Sequence, residues 1–180
     1  MHISVAIVSH EREKKLIHMI RQWEEQTLPV SELRIFASGY DDDFLSKIKH
    51  PVIKCPDRKD WGHEKRAEAM RTFEGDYIVC SSDDDIYLYH FLDEMNNKAE
   101  ETKADIIYCN FRTWNANQTY VNAEPRRGAI TNGCMMLSKK LCEEIPYISR
   151  GYASDGLYVD EAVAKGYTTA KVDECLFFHY

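Results

Sequence analysis

The sequence predicts an α/β fold: a mostly parallel central sheet flanked by helices, followed by a smaller half of mixed strands. Two observations carry this reading. Apolar runs of strand length alternate with segments whose apolar residues recur at helical spacing, which is the pattern of successive β-α units. No repeat, low-complexity tract or Pro/Gly/Ser-rich linker interrupts the 180 residues, so 1–180 reads as a single domain.

The elements follow in order. "HISVAIVS" (2–9) is a buried strand, and the segment 11–26 places Leu16, Ile20 and Trp23 at helical spacing. "LRIFAS" (33–38) supplies a second strand and "PVIKC" (51–55) a short third. Residues 63–73 form a helix that ends at Gly75, ahead of the strand "DYIVCSS" (76–82). A helix over 87–101 leads into "ADIIYCNF" (104–111). Beyond it, "QTYVN", "GAITNGCMMLS", a short helix at 138–144, a helix near 154–165 closed by Gly166, and "TTAKVD" suggest mixed strands packed beside the parallel core. Ligands of such sheets bind at the carboxyl ends of the strands.

Bulk properties narrow the function classes. A 44% apolar content with ordinary charge density suits a folded globule, and the formal net charge of -7 gives no electrostatic footprint for long nucleic acid or anionic membrane. The six cysteines include no C-x-x-C pair, and several lie in apolar runs where a thiol behaves as a small hydrophobe. A reducing, cytoplasmic setting is expected, with no integral membrane segment and no secretory leader before "ISVAIV". Asn117-Gln118-Thr119 matches a glycosylation acceptor, read as chance in the absence of such a leader.

"GDYIVCSSDDDIYLYHFL" (75–92) sets three adjacent carboxylates at the tip of a buried strand. Turning the chain needs at most one of them, and like charges so close repel. Carboxylate oxygens are hard ligands for Mg or Mn, ions that commonly bridge one or two protein carboxylates to substrate phosphates. The plainer alternative is a solvated turn that caps the following helix.

The order of "ISVAIVSHER", "LRIFASG", "KRAEAMRTFEGDYIVCSSDDDIY", "GAITNGCMMLSKKLCEEI", "YASDGLYVDEAVAKGY" and "FFHY" resembles the GT-A glycosyltransferases, in particular the large family 2 of inverting enzymes. The resemblance spans essentially the whole chain. It implies a GT-A fold with a nucleotide-binding half (1–110) and a donor-sugar and acceptor half (111–180). It also implies a divalent cation (Mn or Mg), a nucleotide-diphosphate sugar donor, UDP-sugar foremost, and a hydroxyl acceptor.

Carried over by position, the resemblance makes Asp84 the preferred metal ligand, with Asp85 beside it, and Asp83 a ribose or second metal contact. The family often has an earlier acid where this chain has Ser82. Arg66 falls where an arginine often lines the nucleotide site, suited to pair with a phosphate or a base carbonyl. Ser9, His10 and Glu11 resemble the nucleotide-contacting loop, with His10 placed to stack on the base. At the second strand's tip, Ser38 and Gly39 stand where many relatives have an acid that reads uracil.

Gly133 resembles the glycine-bearing strand under the donor sugar, where a missing Cβ permits close approach. Asp155 falls on the position of the catalytic base, preceded by Ser154 where an acid is common; as a lone motif it reads as a helix cap. His179 resembles the C-terminal histidine that completes the metal shell, and with Asp84 it makes an oxygen and nitrogen set that Mn accepts. Arg126 and Arg127, just ahead of the glycine strand, have two readings: contact with a phosphorylated acceptor, and, favoured over it, a solvated surface pair. The competing reading is a noncatalytic GT-A-like nucleotide- or sugar-binding module, supported by the departures at Ser38, Ser82 and Ser154. A homodimer that completes an open acceptor face is a further expectation.

Overall fold

The structure is a computed structural model and describes residues 1–113 and 119–180. Asn117 and Gln118 of the glycosylation match lie outside the described residues. Among the described residues nine strands form one sheet, in the order β3-β2-β1-β4-β8-β6-β9-β5, with β7 added against β6.

The first half is parallel. β1 (Ile3–His10) pairs with β2 (Glu32–Ser38) on one side and β4 (Tyr77–Ser82) on the other, and β3 (Val52–Lys54) extends the β2 edge. Strand order therefore reverses at β1: β2 and β3 build outward one way, and β4 returns on the opposite flank. The carboxyl ends of β1 and β4 therefore flank the switch point, the place where sheets of this order form their ligand crevice. Seven of the eight β1 residues are buried, as expected for a strand covered on both faces.

Helix α1 (Glu13–Glu24) buries Leu16, Met19, Ile20 and Trp23, the helical stripe expected from the sequence. Trp23 meets Tyr87 and Phe91, so α1 and α4 (Phe91–Thr102) close one face of the sheet. Helix α3 (His63–Thr72) and α5 (Lys139–Glu144) pack together on the other face. The short helix α2 (Asp42–Ser46) was not expected; the side chain of Asp41 caps it by accepting from the Phe44 amide at 2.7 Å.

In the second half, β8 (Met135–Ser138) runs antiparallel to both β4 and β6 (Ile106–Thr113), and β9 (Thr169–His179) lies parallel to β6. The expected strand across 128–138 is shorter than read: residues Asn132–Cys134 form a 3-10 turn, and only β8 is extended. β7 (Tyr120–Val121) is a two-residue strand. β9 runs on well past "TTAKVD", to the next-to-last residue.

Two features of β9 matter for the site. Its register with β6 jumps from Cys109 opposite Val172 to Asn110 opposite Cys175, a bulge that leaves Asp173 and Glu174 unpaired. Asn110 is buried there and satisfied: its amide donates to the Asp173 carbonyl at 2.9 Å and its oxygen accepts from the Ala123 amide at 2.9 Å. Beyond the bulge, β9 pairs antiparallel with β5 (Ile86–Tyr87), setting Ile86 opposite Phe178. β5 directly follows the three aspartates, so the pairing delivers the end of the chain to them.

All six cysteines are free thiols, four of them buried. Burial pushes the Cys80 thiol up to about 12, which suits a core residue and not a nucleophile. No helix among the described residues is long and apolar enough to cross a membrane.

Candidate active site

The tips of β1, β2 and β4 assemble the first part of the crevice. Ser9, at the buried end of β1, donates to Asp83 Oδ2 at 2.5 Å and shares a short hydrogen bond with the hydroxyl of Tyr40. The Tyr40 hydroxyl also accepts from the Arg12 amide at 2.9 Å. His10 lies over the β2 tip, with Nδ1 3.2 Å from the Ser38 carbonyl and 3.1 Å from its hydroxyl. Glu11 takes a left-handed backbone (φ 51°) and packs on Gly39 (φ 76°), whose missing Cβ makes the approach possible. The sequence-predicted Ser9, His10, Glu11, Ser38 and Asp83 thus meet in one place.

Arg12 was not expected in this group. Its guanidinium straddles the aspartates, Nη2 at 2.6 Å from Asp83 Oδ1 and Nη1 at 2.5 Å from Asp84 Oδ2. Burial pushes the Arg12 pKa down, but the two carboxylates outweigh it and raise it. Burial raises the carboxyl of Asp83, opposed by the Ser9 bond and by Arg12.

The third aspartate faces elsewhere. Asp85 is almost wholly buried, and its Oδ1 lies 3.1 Å from His179 Nδ1 and accepts from the Tyr180 amide at 3.3 Å. The sequence reading joined His179 to Asp84. The structure brings it to Asp85 instead, because Ile86 is registered with Phe178 and the next pair outward is Asp85 with His179. The Asp85 bond holds the His179 ring above the usual imidazole range, against burial. Burial raises Asp85 itself, opposed by that same bond.

Arg66 is a buried side chain, not an exposed helical arginine. It donates from Nη1 to the Trp61 carbonyl at 2.6 Å and from Nη2 to Ser82 Oγ at 2.7 Å, tying the start of α3 to the tip of β4. Gly133 sits in the 3-10 turn ahead of β8. A side chain there would run into the Phe177 ring and stand 2.9 Å from the Tyr87 hydroxyl, so the glycine makes room for buried aromatics of the protein itself.

Asp155 stands in the first turn of α6 (Ser154–Ala164), half-buried. Its Oδ2 accepts from the Asn132 amide at 3.2 Å and its Oδ1 from the Gly156 amide at 2.9 Å. Ser154 is buried and donates to the Gly151 carbonyl at 2.6 Å, so it supports the turn without chemistry of its own. Behind Asp155 runs a buried polar chain that sequence reasoning missed. Asn132 Nδ2 donates to the Tyr147 hydroxyl at 3.2 Å, and that hydroxyl lies 2.8 Å from His63 Nδ1. Burial, with the nearby Arg66 charge, lowers the His63 pKa. Arg126 forms an exposed pair with Glu124, while the backbone of Arg127 abuts Gly156, where a Cβ would lie 2.6 Å from its Cα.

Among the described residues no three metal-ligating side chains stand together. The Asp85–His179 pair nevertheless offers one oxygen and one nitrogen donor, and a cation that also binds a diphosphate needs few protein ligands. The donor set therefore fits a divalent cation.

Comparison with known proteins places this arrangement. The chain matches the model of glycosyl transferase family 2 over residues 4–153. No protein of curated function matches it. Its fold is similar to that of S. aureus TarS 1-349, at 14% identity and a TM-score of 0.77, covering 99% of this chain and 60% of that one. The same protein in complex with UDP-GlcNAc gives 13% identity, a TM-score of 0.76, and 99% and 58% coverage. The mannosyltransferase PcManGT from Pyrobaculum calidifontis, in complex with GDP-Man and Mn2+, gives 13% identity, a TM-score of 0.80, and 99% and 56% coverage. This chain thus spans 60% or less of the length of these three. The family match takes in the switch-point crevice and all three aspartates, and with the GT-A architecture shared by these neighbours it establishes that the chain belongs to glycosyl transferase family 2.

Proposed function

We propose that the protein is a metal-dependent, inverting glycosyltransferase that moves a sugar from a nucleotide-diphosphate sugar to an acceptor hydroxyl. The observation that supports it best is the convergence of two groups of different character. A carboxylate–histidine pair, Asp85 with His179, ends the β4 side of the crevice, and a half-buried carboxylate, Asp155, enters from α6.

In this reading residues 1–110 hold the nucleotide. His10, Tyr40 and Ser38 shape the base site, and Asp83, anchored by Ser9, accepts from a ribose hydroxyl. Arg66, held at Ser82, contributes positive charge beneath the diphosphate. Asp85 and His179 would hold the cation, with Asp84 freed from Arg12 as a third candidate; a bound Mn or Mg supplies charge stabilisation to the departing diphosphate. Residues 111–180 present the base. Asp155 takes the proton of the acceptor hydroxyl as that oxygen bonds to the anomeric carbon and the bond to the diphosphate oxygen breaks. One displacement from the opposite face inverts the centre. The UDP, UDP-GlcNAc and GDP-Man complexes of the structural neighbours keep UDP-sugars first among candidate donors and GDP-sugars next.

A second reading has one observation in its favour. Arg12 neutralises Asp83 and Asp84 from within, as a noncatalytic nucleotide-binding module without a cation would require. A thermal-shift panel of nucleotide diphosphates and nucleotide sugars, with and without Mn, on wild type, Asp84→Ala and Asp85→Ala separates the two. The enzyme reading expects a Mn-dependent rise for one nucleotide, abolished in Asp85→Ala. A rise that ignores Mn and both substitutions would favour the module, and no rise with any nucleotide would sink the donor site.

A further inference from the structure

Among the described residues, two of the most exposed apolar side chains meet at the turn that leads to Asp155. Trp61 is 63% exposed and Tyr152 75%, their ring centroids are 5.9 Å apart, and the rings meet edge to face. They come from separate segments: Trp61 from the turn before α3, Tyr152 from the turn before α6, three residues ahead of Asp155. The Trp61 ring also lies 6.4 Å from His63, the far end of the buried chain that leads through Tyr147 and Asn132 to Asp155.

An exposed tryptophan is ordinarily incidental. This one is held. Its backbone is left-handed (φ 55°), a conformation that is strained for a bulky residue and persists only where neighbours impose it. The neighbours are identifiable. Asp60 accepts from the Gly62 and Glu64 amides at 3.0 and 2.7 Å, and buried Arg66 donates to the Trp61 carbonyl at 2.6 Å. The same Arg66 is bonded to Ser82, next to the aspartates. The fold therefore fixes, through a buried arginine, a strained turn whose visible product is an indole ring facing solvent at the rim of the site. A core role is excluded by its exposure.

From this we infer that Trp61 and Tyr152 form an aromatic platform for the acceptor, and that the acceptor is a saccharide whose pyranose ring lies against the indole. The inference rests on the proposed transfer, since it is that reaction which requires a hydroxyl beside Asp155. The choice of a saccharide follows from the chemistry of the rim. The indole face is electron-rich and favours polarised C–H groups, which line one face of a pyranose, while the hydroxyls at its edge remain free to reach a carboxylate. Carboxylates flank both rings in sequence, Asp60 next to Trp61 and Asp155 three residues from Tyr152, and these oppose a polyanionic acceptor, while Arg150 is already paired with Glu161 at 2.7 Å.

Saturation-transfer NMR on the full chain tests this, with methyl glycosides of glucose, galactose, mannose and N-acetylglucosamine as probes, on wild type, Trp61→Ala, Tyr152→Ala and Tyr152→Phe. Nucleotide-induced thermal shifts on the same four proteins report separately on the donor site and on folding. The platform predicts transfer to the C–H protons of at least one glycoside, reduced about tenfold in Trp61→Ala and Tyr152→Ala but kept in Tyr152→Phe, with the nucleotide shift unchanged throughout. Transfer that survives both alanine substitutions, or its absence with every glycoside while nucleotide still shifts wild type, would overturn the platform. Loss of the nucleotide shift in wild type would instead remove the reading on which the platform stands.

Discussion

His179 Nδ1 lies 3.1 Å from Asp85 Oδ1, across 94 residues of sequence. The contact is a consequence of register. β9 bulges at Asp173 and Glu174, opposite Asn110 of β6, meets the two-residue strand β5, and sets Phe178 against Ile86, so the residues on either side of that pair face each other. It also fixes which of three adjacent carboxylates can share a ligand with the histidine.

The pair makes stability depend on pH in a defined direction. Asp85 raises the His179 pKa, and burial raises the Asp85 pKa, so in both groups the folded state keeps its proton to higher pH than the unfolded state. The stabilisation from His179 is thus full below about pH 6.5 and is lost as pH rises through the folded-state value. Replacing His179 with Gln should cost about 1 kcal/mol at pH 6, a charged hydrogen bond discounted for a ring one-third exposed, and less at pH 9. Urea midpoints at the two pH values check this; an equal cost at both would show that the pair carries no proton linkage.

Arg12 gives a test of competition. Asp83 is 2% exposed, and without the guanidinium its carboxylate keeps, among the described residues, the Ser9 hydroxyl and the His10 amide. Arg12→Ala should destabilise by about 2 kcal/mol, below the usual cost of breaking a buried pair because the Arg12 side chain is 41% exposed. The same substitution frees Asp83 and Asp84, so millimolar Mn should raise the melting temperature of Arg12→Ala more than that of wild type. Equal Mn shifts would show that the guanidinium and the cation do not share carboxylates.

Gly133 is required by a ring rather than by an open sugar pocket. In Gly133→Ala the new methyl meets Phe177, which is fully buried, and overpacking of this kind costs about 1–3 kcal/mol. Pairing it with Phe177→Leu should be non-additive, the double variant recovering part of the loss. Additive denaturation midpoints would mean that the turn at Asn132–Cys134, and not the ring, sets the limit.

Most of the fold was legible because apolar runs and helical stripes are local signals. β1, β2, β4, β6 and helices α1, α3, α5 and α6 lie close to where periodicity and stop residues put them. What escaped was short or relational. β5 has two residues and α2 five, too few for a period to show, and the pairing of β5 with β9 is what hands His179 to Asp85 rather than Asp84. Arg12 reaches the aspartates, and Tyr40 reaches Ser9 beside them, only through the parallel register of β1 with β2 and β4, and the chain His63–Tyr147–Asn132 joins three segments that no spacing relates. A signal was present for Trp61: an apolar residue beside glycine, just ahead of a helix, where a buried strand or core stripe has no use for it.

Asp155 offers the sharpest separation of chemistry from structure. Its two oxygens accept from the Asn132 and Gly156 amides, and both bonds form at the start of a helix, where negative charge is favoured. Asn at this position keeps one acceptor oxygen and turns the other into a donor facing an N–H group, so Asp155→Asn should lose about 1 kcal/mol and remain folded. The proton-accepting capacity disappears entirely, and sugar transfer should fall by about 10²–10⁴ while nucleotide binding, seen as a thermal shift, is retained. Ser154→Ala is the matched control: it removes the buried bonds from the Arg150 amide and to the Gly151 carbonyl, weakening the turn without touching the carboxylate. If the serine variant lost as much transfer as the asparagine variant at equal folded fraction, the carboxylate would be a helix cap and the base would have to be sought elsewhere in the crevice. If only Asp155→Asn lost transfer with the nucleotide shift intact, the carboxylate acts on the acceptor.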